Sequence, residues 1–123
     1  MSISVLVIDD DAAFRELAVQ ILEGMGLTVV GEADTLEAGA LAAGTLRPQA
    51  ALVDVALPDG SGVTLARDLA ALPWRPRIVL TSSDPAALTE AVARSAGAVA
   101  FIPKQDLPGS RLRELLAGPP QQE

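Results

Sequence analysis

The chain contains no cysteine and no histidine among its 123 residues. These two absences remove disulfides, thiolate nucleophiles, imidazole bases and the usual zinc ligands, so any chemistry falls to carboxylates, hydroxyls and amines. Aromatic side chains are nearly missing as well, with Phe14, Trp74 and Phe101 the whole supply. Half the residues are nevertheless apolar, so the core must be built from Val, Leu, Ile and Ala, which suits a buried parallel sheet with helices on both faces. Cations are scarce: one lysine and eight scattered arginines stand against 16 acids, for a net charge of −7. That balance argues against direct nucleic-acid binding, which needs clustered Lys and Arg, and it suits a hard cation. No apolar run approaches the ~20 residues of a bilayer span, and no charged amino terminus leads into one. The expectation is a soluble cytoplasmic protein with no membrane partner. The length fits one domain with one core, hence one site.

The most informative stretch is Ala51 to Gly62, ALVDVALPDGSG. Ala51, Leu52 and Val53 read as an interior strand that ends on Asp54, and Pro58, Asp59, Gly60, Ser61 and Gly62 force a loop just beyond it. In open parallel sheets the carboxyl ends of strands are where ligands bind, which places Asp54 for chemistry; a solvated, idle acid is the other reading. Ile3 to Ile8 repeats the design and stops on Asp9, Asp10 and Asp11.

The rest of the chain alternates. Phe14, Leu17, Ala18, Ile21, Leu22 and Met25 recur at helical spacing, with Arg15, Glu16, Gln20 and Glu23 facing water and Asp11 as N-cap. Leu27 to Ala33 is a strand; Asp34 or Thr35 then caps a helix to about Leu46, with Asp34 and Glu37 at capping-box spacing. Leu65, Leu69 and Leu72 mark a helix that Pro73 ends. Arg77 to Thr81 is the fourth strand, and Asp84 with Pro85 reads as the start of a helix lined by Leu88, Val92 and Ala96 and braced by Glu90 and Arg94. Ala98 to Ile102 is the last strand, and Leu112, Leu115 and Leu116 mark a last helix that packs as core first and offers partner surface second. Trp74 is expected to cover a sheet edge. Residues 1–117 form the domain and 118–123 a polar tail. Five such repeats imply a parallel sheet with right-handed crossovers. Asp9, Asp10, Asp54, Thr81 and Lys104 then share its carboxyl-terminal edge.

Crowded carboxylates repel and raise one another's pKa unless a cation joins them. Oxygen-only ligands point to Mg²⁺, with Mn²⁺ as the alternative. A carboxylate beside such a metal, a hydroxyl and an ammonium is the equipment of a phosphoryl acceptor. Asp54 is the expected nucleophile, with Lys104 and Thr81 contacting the transferred oxygens.

These residues resemble the receiver domain of a bacterial two-component response regulator. The likeness rests on Asp9 and Asp10 after the first strand, Pro58 and Gly62 four and eight residues past Asp54, Thr81 with small Ser82, and Phe101 three before Lys104. It implies a flavodoxin-like (βα)5 α/β fold with strand order 2-1-3-4-5. It implies that Asp54 accepts phosphate from a sensor histidine kinase or phosphotransfer protein, that Asp9, Asp10, Asp54 and the backbone carbonyl of Ala56 hold Mg²⁺, and that Thr81 and Phe101 form a switch. The face of the fourth helix, last strand and last helix would then change its affinity for an output domain, a protein effector or a second copy. Ala56 and Ser83 would flank the phosphoryl group.

Bland readings stand beside several of these: Asp9 as a surface acid beside the true ligand Asp10, Thr81 as a helix cap, Phe14 and Phe101 as ordinary core. Gln105 follows Lys104 where many receivers have proline, which implies a differently shaped loop. A Mg²⁺-dependent phosphatase or phosphotransferase with an aspartyl-phosphate intermediate is the competing class. Haloacid-dehalogenase-type enzymes, however, place a second acid where this chain has Ala56.

Overall fold

In a computed structural model, which describes residues 2–109 and 111–118, strands and helices alternate five times. The order is β1 (Ser4–Ile8), α1 (Ala12–Gly24), β2 (Thr28–Ala33), α2 (Leu36–Leu46), β3 (Ala50–Asp54), α3 (Gly62–Ala70), β4 (Arg77–Ser82), α4 (Glu90–Ser95), β5 (Ala100–Pro103) and α5 (Leu112–Ala117). The strands pair in the order 2-1-3-4-5, all parallel. This is the parallel sheet expected from the alternation, in the flavodoxin-like (βα)5 order that the resemblance implies. A two-residue antiparallel ladder, Ala56–Leu57 with Gly60–Ser61, follows β3, and a 3-10 helix, Lys104–Gly109, follows β5. The polar tail expected over 118–123 lies outside the described residues beyond Gly118.

Side-chain alternation divides the core into two layers. Val5, Val7, Ala50, Leu52, Val79, Ala100 and Ile102 pack with Ala18 and Leu22 of α1 and Leu112 and Leu116 of α5. Their neighbours Leu6, Ile8, Ala51, Val53, Ile78, Leu80 and Phe101 pack with Ala43, Leu65, Ala66, Leu69 and Ala93 on α2, α3 and α4. Each fully buried aliphatic side chain contributes about 1.5–3 kcal/mol, so a core of this kind needs few rings.

Four local expectations require correction. Leu17 is 51% exposed, so the buried stripe of α1 centres on Ala18 and Leu22, with Phe14, Ile21 and Met25 at its margins. Arg15 does not simply face water, because it bonds across the first loop as described below. Of the two caps expected for α2, Thr35 serves, its hydroxyl accepting from Ala38 N. The Asp34–Glu37 box is replaced by a distant acid: Asp59 accepts from Leu36 N at 2.7 Å and Glu37 N at 3.1 Å. Helix α4 starts at Glu90, not near Pro85, with Thr89 as its cap. Ser82 Oγ accepts from Asp84 N, and Asp84 Oδ1 from Ala86 N. Such local bonds compete with a helix and hold this segment in turns. The buried residues at and just beyond α4 are accordingly Ala93 and Ala96, with Val92 outward.

Asp11 caps α1 as expected, accepting from Ala13 N and Phe14 N. The Glu90–Arg94 pair forms at 3.6 Å on the surface. Trp74 covers the amino-terminal sheet edge, its Nε1 donating to the Pro48 carbonyl at 2.9 Å.

Candidate functional site: an acidic cluster at the carboxyl ends of the strands

Strand register assembles the site. Asp54 is paired with Thr81 across β3 and β4, and Thr81 with Ile102 across β4 and β5. Asp9 follows β1 directly, held by its N–H to the Ala33 carbonyl at 2.9 Å. Asp9, Asp54, Thr81 and Lys104 all continue the alternation of the layer under α1 and α5. Their side chains therefore leave the sheet edge on the same side.

The carboxylate oxygens of Asp9, Asp10 and Asp54 can all lie within 4.8 Å of one another. Asp9 and Asp54 are buried, whereas Asp10 is exposed. Lys104 Nζ lies 2.8 Å from Asp9 Oδ2 and 3.1 Å from Asp54 Oδ2. The remaining oxygens are held by the backbone: Asp11 N donates to Asp9 Oδ1 at 2.9 Å, and Ala56 N donates to Asp54 Oδ1 at 3.0 Å. Burial pushes the Asp9 carboxyl above its ordinary range. Lys104 and the Asp11 N–H oppose that rise, while the charge on Asp54 adds to it. Burial alone would pull the Lys104 ammonium down, but the bonds and charges of Asp9 and Asp54 outweigh it and raise its pKa.

The donor set suits a small hard cation. Three carboxylates converge without His or Cys, and Asp9 Oδ2 meets the Lys104 ammonium as an ion pair but accepts no hydrogen bond of good geometry among the described residues. Such a cluster is positioned to coordinate a divalent metal, consistent with Mg²⁺.

Of the residues singled out in the sequence, Asp9, Asp10, Asp54 and Lys104 meet directly. Thr81 lies beside Asp54 in register but donates its hydroxyl to the Ile102 carbonyl at 2.7 Å. Phe101 is buried in the other layer. Ala56 and Ser83 are both exposed.

Four contributors escaped sequence reading. The Phe14 ring lies under Lys104, with Nζ 4.2 Å from its centroid, so it seats the ammonium as well as packing. Its place in the first turn after the Asp11 cap was the available signal. Arg15 Nη1 donates to the Asp9 carbonyl at 2.7 Å while its Nε donates to Glu32 at 3.1 Å. Asp59 ties the loop after Asp54 to α2, a contact across the chain that leaves no local trace. Gly62 reads in the sequence as a loop former at a characteristic spacing, yet its tighter role is steric, because a Cβ there would overlap the Asp54 carbonyl oxygen.

Comparison with known proteins gives the class. The family model described as the response regulator receiver domain matches residues 5–116. The chain belongs to that family. It is 32% identical to the transcriptional regulatory protein PdtaR of Mycobacterium tuberculosis over 92% of this chain and 60% of that protein. It is 40% identical to the KDP operon transcriptional regulatory protein KdpE of Escherichia coli, over 64% of this chain and 35% of that one. The chain thus spans less than two thirds of the length of these curated relatives. Among solved structures, the BeF3-activated N-terminal receiver domain of Klebsiella pneumoniae RstA superposes with a TM-score of 0.79 at 26% identity, covering 94% of this chain and 99% of that one.

Proposed function

We propose that this chain works as a phosphorylation-dependent switch in which Asp54 accepts a phosphoryl group from a sensor histidine kinase or phosphotransfer protein. The observation that carries the reading is the convergence of Asp9, Asp10 and Asp54 with Lys104 at one sheet edge. An Asp54 carboxylate oxygen attacks phosphorus, the bond from phosphorus to the donor nitrogen breaks, and an acyl phosphate results. Water later cleaves that acyl phosphate and restores the carboxylate. Lys104 is the donor to one phosphoryl oxygen, and Thr81 becomes a second donor on turning away from Ile102. Asp9, Asp10, Asp54 and the Ala56 carbonyl are the proposed Mg²⁺ ligands, with Mn²⁺ as the substitute. Bound there, the metal would neutralise charge on the phosphoryl oxygens. Aspartyl-phosphate phosphatases of the haloacid dehalogenase type need a second acid two residues after the nucleophile, and Ala56 stands at that position, which favours a phosphoacceptor over a separate enzyme.

Thr81 and Phe101 are the proposed switch, and α4, β5 and α5 its output face. A shallow cavity of about 320 Å³ lies on that face, lined by Phe101, Ile102, Asp106, Arg111 and Leu115 among others. Its partner is an output domain, a protein effector or, after phosphorylation, a second copy. Residues 1–117 constitute the receiver and 118–123 a polar extension. No helix among the described residues is long and apolar enough to cross a membrane, in keeping with a cytoplasmic role.

Treatment with acetyl phosphate and Mg²⁺, followed by intact-mass and peptide mass spectrometry, tests the proposal. A single phosphoryl adduct on Asp54 is expected, absent in Asp54→Asn and in EDTA. Labelling of Asp54→Asn at the wild-type rate would overturn it.

A further inference from the structure

The opposite end of the sheet carries a second charged feature. A cleft of about 450 Å³ opens at the amino-terminal edge, lined by Arg47, Gln49, Trp74, Arg75 and Arg77 among others. In a chain of net charge −7, three of the nine cationic residues meet here. Ion pairs among the described residues form at Arg15, Arg94 and Lys104, and none at these three arginines.

Two further observations show that the arrangement is fixed. The Arg47 guanidinium stacks over the Trp74 ring, 4.5 Å from its centroid, while the indole N–H is anchored on the Pro48 carbonyl. Arg77 Nε is held by the Leu115 carbonyl at 2.6 Å, and among the described residues no hydrogen bond or ion pair engages its terminal nitrogens. Arg47 and Arg75 are also the two non-glycine residues at positive φ among the described residues, at 49° and 47°. Arg47 ends α2, a position that glycine fills most comfortably. Arginine has been placed where the backbone would prefer glycine, twice, in one cleft.

Like-charged guanidiniums brought together with no acid among the described residues that line the cleft call for an anion, and the planar N–H fork of arginine matches phosphate oxygens in bidentate fashion. The cleft has the volume of a small-molecule site, and the strongly negative protein would repel a long polyanion. We infer that this cleft binds a small, multiply charged phosphate, of the diphosphate class, at a site separate from the Asp54 edge.

Calorimetric titration with inorganic pyrophosphate tests this, run at low ionic strength with EDTA so that no metal bridges the ligand to the acidic cluster. Saturable one-to-one binding is expected. Arg47→Gly and Arg75→Gly should each weaken it by roughly tenfold or more, the scale of a lost charge-assisted bond. Glycine suits both backbone positions, so these variants should fold, with thermal melts at or above wild type and acetyl-phosphate labelling unchanged. No saturable heat with the wild type, or undiminished affinity in both variants, would overturn the site. Equal or tighter binding of citrate would overturn the phosphate assignment.

Discussion

Replacing Lys104 by Met removes the one ammonium shared by two buried carboxylates while keeping an apolar stem over Phe14. At separations of 2.8 and 3.1 Å the two attractions are each roughly 5–6 kcal/mol at an effective dielectric near 20, before the desolvation of all three groups is subtracted. Breaking a buried ion pair by deleting one partner costs about 3–5 kcal/mol in practice. Lys104 keeps 16% of its side-chain surface in water, so the low end applies, about 3 kcal/mol, or a fall in Tm of about 12 °C for a domain of this size. Mg²⁺ should stabilise Lys104→Met more than wild type, because no ammonium competes for the carboxylates. The pH dependence has a defined sign. A carboxyl whose folded pKa is raised destabilises the fold in full above that pKa, and the penalty shrinks as pH falls from it toward the unfolded pKa. Without Lys104, burial and Asp54 are left raising Asp9, so the deficit should shrink on acidification from neutrality. Thermal melts in EDTA and in Mg²⁺ across that range measure all three effects. A variant within a degree of wild type in EDTA, or an equal Mg²⁺ response in both proteins, would refute the reasoning.

Gly62→Ala should cost about 3 kcal/mol or more, the upper range for overpacking, because the new methyl meets the Asp54 main chain and not a flexible side chain; denaturant unfolding measures it, together with slower labelling of Asp54. A Gly62→Ala protein of wild-type stability would show that the β3–α3 turn opens freely. The bonds from Leu36 N and Glu37 N hold the Asp59 carboxyl below its ordinary range. A carboxyl with a depressed folded pKa stabilises the fold above its unfolded pKa, and that stability is lost as pH falls through the folded value. Asp59→Ala should therefore lower the urea midpoint at neutral pH, with the gap to wild type closing in acid; a constant gap would assign the effect to something other than the α2 cap.

Much of this was legible because local rules and the global fold agree. Apolar runs ending on Asp9, Asp54 and Thr81 gave the strands and the functional edge together, since a parallel sheet has one carboxyl-terminal side. The second half of the site was harder to read. Helical spacing takes Phe14 to the margin of the core, but its place under Lys104 joins residues far apart in the chain and leaves no periodic pattern. Asp84–Pro85 carries a helix-start signal that Ser82 and Asp84 themselves redirect into turns. Asp59 and Arg15 act on backbone groups brought near only by tertiary structure, and periodicity says nothing about such bonds.

The geometry also narrows how the proposed switch can carry a signal from Asp54 to the output face. Thr81 and Phe101 lie on neighbouring strands but belong to opposite layers: Phe101 is registered with Leu80, and Thr81 with Ile102. What joins them is the bond from Thr81 Oγ1 to the carbonyl of Ile102, the residue after Phe101. If the hydroxyl turns to a phosphoryl oxygen, that carbonyl loses a buried donor. Leaving a buried acceptor unmet costs about 1–3 kcal/mol, enough to shift a two-state balance by roughly 5- to 150-fold. On the proposed switch the β5 backbone would then shift, and Phe101 would move with it because it shares the adjoining peptide. In the proposed switch the signal would thus pass through the main chain of the last strand, and the ring would report a change that begins at its neighbour's carbonyl.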